Sequence, residues 1–175
     1  MPDPTLQPLL DTTYTKENFH RKVMLLKEFF SKRFFQGHAD QSLKDQLSSF
    51  LSENNVGEAL RSSLLGLPDT FFQYFSNENF SDTLKGLQDE VETMPHLMLY
   101  VATVLPPSEV ARLGAWVREN IKPGLFIDLK TQADVVGGCA FVWNGVYHDY
   151  SLKYYFDKHR GEIRSTIRSA DNGTK

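Results

Sequence analysis

With one cysteine in 175 residues, Cys139, the chain has neither an intramolecular disulfide nor a multi-cysteine zinc site. It also lacks an excess of positive charge. Its 19 Lys and Arg stand against 22 Asp and Glu, a net charge of -3, so the basic field expected of a general nucleic-acid binder is missing. No run approaches the roughly 18 apolar residues that a spanning helix needs, so any membrane association would pass through another subunit. The opening residues carry no basic-then-apolar export signal and no Arg-rich leader, which points to a bacterial rather than an organellar setting. No Gly-x-Ser-x-Gly elbow is present. The histidines His20, His38, His96, His148 and His159 form no i, i+4 pair, so no metal site is indicated, and no cofactor motif appears.

What is present is 41% hydrophobic residues, enough for a core, distributed with two different periods. Residues 1–14 hold three prolines and suggest an extended or mobile lead. From Thr15, a plausible cap, Phe19, Val23, Leu26 and Phe30 follow a helical stripe that runs to Phe34-Phe35 and stops at Gly37. A second helix should open at Ser42 and carry Leu43, Leu47, Phe50 and Leu51. A third opens at Gly57, a turn restarts at Pro68, and a last one spans about 80–94 before Pro95. Ten of the thirteen phenylalanines lie in residues 1–80, with no strand-like alternation among them. Residues 15–95 therefore read as an all-α bundle.

After Pro95 the pattern changes. Residues 97–103 and 125–129 are short apolar runs of strand length, separated by a helix that Pro106-Pro107 opens and Pro123-Gly124 closes. Asn144-Gly145 between Phe141-Val142-Trp143 and Val146-Tyr147 marks a two-residue hairpin, because both turn residues must take positive φ. A final helix from Ser151 would place Leu152, Tyr155, Phe156, Ile163 and Ile167 on its inner stripe, leaving 169–175 as a disordered tail. The expected fold class is thus α+β: a helical bundle, then a small β-α-β-β-β-α mixed-sheet domain over 96–168.

The segment from Gly137 to Ser151 joins a glycine pair, a tight hairpin and a helix start. With Gly137, Gly138, Asp149 and Ser151 at these spacings it resembles the C-terminal signature of the delta subunit of ATP synthase, known as OSCP in mitochondria. Residues 100–109, 126–130 and 149–156 extend the likeness over about a third of the chain. Gln132-Ala133 depart from it, standing where the family usually has aspartate followed by proline. The resemblance implies a non-catalytic subunit of the peripheral stalk, or stator, on the cytoplasmic face of the cell membrane. Its partners would be the N-terminal helices of the alpha subunits and the C-terminal helices of the b subunits, with no cofactor and no nucleic acid.

Such a role requires binding faces. The adjacent aromatics suggest Phe29, Phe34, Phe35, Phe71 and Phe72 as lining for a partner groove, although a core stripe is the commoner use of such residues. Residues 151–175 hold Lys153, Lys158, Arg160, Arg164, Arg168 and Lys175 against Asp157, Glu162 and Asp171, and Lys153, Arg160 and Arg164 are the candidate basic contacts. Two other readings compete. One is a nucleic-acid adaptor with a KH-like module, which would need a Gly-x-x-Gly loop between helices. The other is a small enzyme built on Asp149, His148 and Cys139. Asp149 is explained more simply as a helix cap, with Ser151 its neighbour in the same turn, and Cys139 as a small buried hydrophobe.

Overall fold

The computed structural model describes residues 7–36 and 42–172, side chains excepted at position 36 and from 170 onward. The protein is mixed α+β, with the helices leading and a four-stranded mixed sheet in the C-terminal half. Its helices are α1 (Gln7–Asp11), α2 (Lys16–Gln36), α3 (Leu43–Glu53), α4 (Glu58–Leu65), α5 (Asp69–Gln73), α6 (Phe80–Thr93), α7 (Pro107–Asn120), α8 (Leu152–Lys158) and α9 (Arg160–Asn172). Its strands are β1 (His96–Val101), β2 (Phe126–Thr131), β3 (Cys139–Trp143) and β4 (Val146–Asp149).

Two compact units share these elements. The first comprises the chain up to Pro95 together with Pro107–Phe126; the second comprises His96–Pro106 and the chain from Ile127 onward. Helix α7, expected as part of the small α/β domain, thus belongs by its packing to the helical unit. The reason lies in contacts far apart in the chain: Gly114 on α7 lets the Tyr14 side chain approach so closely that a Cβ there would lie 2.4 Å from Tyr14 Cβ. One face of the same helix carries Arg118, whose guanidinium donates to the carbonyls of Leu10, Thr13 and Leu125.

In the helical unit α2 is the central element. Its stripe Phe19, Val23, Leu26 and Phe30 is buried to 1% exposure or less. The Phe30 ring lies 4.6 Å from the Phe75 ring and 5.7 Å from that of Phe34, within the separations at which aromatic pairs attract. The helix starts follow the expected chemistry. Thr15 Oγ1 accepts from the Asn18 amide at the start of α2, Ser42 Oγ accepts from the Asp45 amide, and Pro68 precedes α5. The expected stop at Gly37 lies outside the described residues. The lead differs from expectation: residues 7–11 form a helix whose Leu9 and Leu10 are buried in the core. Proline at its second position, Pro8, is compatible with a first helical turn, where the amide has no intrahelical acceptor. Residues 1–6 lie outside the described residues.

The sheet of the second unit has the order β2-β1-β3-β4. The β1–β3 and β3–β4 pairs are antiparallel, with Leu99 opposite Phe141 and Phe141 opposite His148. Beside β1, Phe126 N–H donates to Pro95 O and Gln132 N–H to Val101 O. The two partners advance together along the chain, so β1 and β2 run parallel. The expected single terminal helix is instead two, divided at His159, and the second reaches Asn172, well into the stretch expected to be disordered. Residues 173–175 lie outside the described residues.

Candidate functional site

The glycine-hairpin-helix segment forms one joint. Asn144 (φ 50°) and Gly145 (φ 76°) both take the left-handed conformation, and Trp143 pairs with Val146 across them, as a type I′ turn requires. Pairing continues past β4. Tyr150 N–H donates to Cys139 O at 2.9 Å and Leu152 N–H to Gly137 O at 3.1 Å. Gly137 and Gly138 have φ of 65° and 73°. A Cβ on Gly138 would lie 2.4 Å from Tyr150 O, so only glycine lets the two backbones meet here. That contact accounts for the spacing: the glycine pair must face the two residues that turn β4 into α8.

The turn is capped from both sides. Ser151, 3% exposed, accepts from the Tyr154 amide through Oγ, and its own amide donates to Asp149 Oδ1 at 2.8 Å. Hydrogen bonding from the Ser151 side chain, then from its backbone, holds the Asp149 carboxyl below the usual carboxylate range, and Lys153 adds to this. His148 and Asp149 are neighbours on one strand and therefore face opposite sides of the sheet. The His148 ring stacks on Phe141 at 4.9 Å while Asp149 serves the turn. Cys139, expected as a buried hydrophobe, is only partly buried at the first position of β3; that partial burial, with Asp149 nearby, pushes its thiol up, away from the thiolate a nucleophile needs. The structure does not bring Asp149, His148 and Cys139 together as a reacting group. Gly137-Gly138 lie between two strands, not between helices as a KH loop would. Among the described residues no three His, Cys, Asp or Glu side chains gather as metal ligands would, and no helix is long and apolar enough to cross a membrane.

The joint launches a surface. No residue of α8 is buried: Leu152, Tyr155 and Phe156, expected on an inner stripe, are 50–56% exposed. Ile167 on α9 is 64% exposed. Phe156, Asp157, Arg160, Ile163, Arg164 and Ile167 line a shallow groove of about 300 Å³, which unites the candidate basic residues Arg160 and Arg164 with apolar side chains. Lys153 stands exposed on α8.

The phenylalanines expected to line a partner groove divide differently. Phe29, Phe71 and Phe72 are at most 5% exposed and belong to the core, because α2 and α5 turn those positions onto the Phe30 and Phe75 rings; they are structural residues and do not line a groove. Phe34 is partly buried, stacked on Phe30. Phe35, at 76% exposure, is free of the core.

Sequence reasoning missed Lys22. It is 2% exposed, and its ammonium donates to Thr12 O (2.8 Å), Thr12 Oγ1 (2.9 Å), Thr13 Oγ1 (2.8 Å) and Ser63 Oγ. The signal was available: Lys22 lies three residues after Phe19 and four before Leu26, on the apolar stripe itself. Burial lowers its pKa to about 8.

Neither a comparison of the sequence with protein-family models nor one with curated proteins finds a match.

Proposed function

We propose that this chain is a non-catalytic stator subunit of a rotary, proton-translocating ATP synthase, a counterpart of the delta subunit that its C-terminal motif resembles. What carries the reading is the pairing of a tightly specified joint with an unpartnered amphipathic surface. The resemblance rests on Gly137, Gly138, Asp149 and Ser151, and all four act in that joint. Beyond it, α8 and α9 expose Leu152, Tyr155, Phe156 and Ile167 beside Lys153, Arg160 and Arg164. A contiguous apolar face rimmed by charge suits docking against another protein, and an amphipathic helix with mixed or acidic charge is the complementary partner. Under this reading the C-terminal helices of the b subunits bind at α8–α9, and the N-terminal helices of the alpha subunits bind the helical unit. Attachment to the membrane is indirect, at its cytoplasmic face.

The test is calorimetric titration of the purified chain with two peptides of the same organism, one from the N-terminus of alpha and one from the C-terminus of b. The reading expects saturable binding of each at micromolar concentration, with the b peptide lost in a Tyr155→Ser/Phe156→Ser variant. Failure of both peptides to bind overturns it.

A further inference from the structure

The helical unit holds a cavity of about 440 Å³, lined by no residue of the α8–α9 surface. Its polar lining is Thr12, Tyr14, Asn18, Arg21, Lys22, Ser63 and the first turn of α4, and its apolar lining includes Leu60, Val110 and Ala111. The volume falls within the range of small-molecule sites.

The chemistry of this lining is one-sided. The Lys22 ammonium is buried, and all four of its acceptors are neutral oxygens. Among the described residues no carboxylate lies within ion-pair distance of it. A buried cation without a counter-ion is costly, and an anion brought beside it relieves that cost. Ser63 Oγ accepts from Lys22, so its own proton remains to be donated into the cavity, on a hydroxyl polarised by the ammonium behind it. Arg21 adds an exposed guanidinium with no ion pair among the described residues. Gly57 caps α4 without a side-chain acceptor, leaving the Glu58 and Ala59 amides directed outward at the positive end of the helix. Glu58 is the one acidic side chain in the lining, and it is exposed.

We infer that this cavity binds a small organic carboxylate, its anionic head received by the Ser63 hydroxyl, Arg21 and the α4 amides in front of buried Lys22, and its apolar body by Leu60, Val110 and Ala111. The lining contains no residue of α8 or α9, and the site is read on the chain without stator peptides, so its failure would leave the stator reading untouched.

The experiment is an amide NMR titration of the full chain with butyrate, with the neutral isostere butyramide run in parallel. Saturable shifts at Glu58, Ala59, Leu60 and Ser63 are expected with butyrate and not with butyramide. Ser63→Ala still leaves the ammonium three acceptors for its three protons, so the fold should persist while affinity falls about tenfold, the loss of one charge-assisted hydrogen bond. Arg21→Ala alters only an exposed side chain and should weaken binding by a similar factor. Equal binding of butyramide, no saturable shift with butyrate, or unchanged affinity in both variants overturns the inference. Shifts with inorganic phosphate but not with butyrate would also overturn it, since they would assign the site to a different anion.

Discussion

Gly138→Ala is the sharpest perturbation of the joint, and Gly137→Ala is its control. Both positions have positive φ, so either alanine incurs the left-handed penalty of roughly 1–2 kcal/mol. The difference lies in what the new methyl meets. At Gly137 it would lie 2.6 Å from Leu152 Cδ1, the end of a flexible, half-exposed side chain that can rotate away. At Gly138 it would lie 2.4 Å from Tyr150 O, a backbone atom held by the Tyr150–Cys139 hydrogen bond on one side and the Ser151–Asp149 bond on the other. The joint cannot yield without breaking these, which adds roughly 1–3 kcal/mol of overpacking strain. Gly138→Ala should therefore cost about 2 kcal/mol more than Gly137→Ala, a midpoint difference of about 1 M in urea. Trp143 lies on β3 in the unit containing the joint, and Trp116 lies on α7 in the other. Trp143 fluorescence in a Trp116→Phe background thus reports the relevant unfolding. Equal midpoints for the two variants would refute the assignment of Gly138 to a backbone contact.

Other consequences follow from single side chains. The Lys22 pKa is about 8 when folded against an ordinary 10.5, so between those values the unfolded state holds more protons and stability rises with pH; below 8 the burial penalty is fully present. The rise is at most about 3 kcal/mol, since the four oxygens around the ammonium offset part of the burial cost, and Lys22→Met should flatten it in urea titrations between pH 7 and 11. Ser151→Ala should lose about 1 kcal/mol of stability through the α8 cap. The depressed Asp149 pKa stabilises the fold above its ordinary value of 3.8, and that contribution is lost as pH falls through the folded value, so Asp149→Asn should show a shallower acid loss in the same assay. Phe29→Ala should cost about 3–5 kcal/mol by opening a core cavity, while Phe35→Ala should stay within about 0.5 kcal/mol by thermal unfolding.

Local signals in the sequence were the readable ones. Asn144-Gly145, Ser42, Pro68 and the Phe19 stripe each specify a turn, a cap or a face through their own chemistry, and each is found where that chemistry puts it. What escaped depends on partners distant in the chain. The Phe35 and Phe72 positions look alike in sequence, yet one is 76% exposed and the other 5%, because only the packing of α5 on α2 decides which ring is covered. Periodicity alone does not show that the chain divides α8 from α9 at His159, nor that Leu152, Tyr155 and Phe156 face outward rather than into a core. The assignment of α7 to the helical unit rests on Arg118 reaching carbonyls more than a hundred residues earlier. The cavity at Lys22 was hidden for a simpler reason: a lysine on an apolar stripe reads as an interruption until Thr12, Thr13 and Ser63 are seen around its ammonium.

The stator claim is tested most directly by tagging the chain in its native host, solubilising membranes in mild detergent, and measuring what co-purifies. The account expects an ATP-hydrolysing complex containing alpha, beta and b subunits, with the tagged chain in fixed ratio to them. Recovery of the chain alone, or with RNA in place of those subunits, would contradict it.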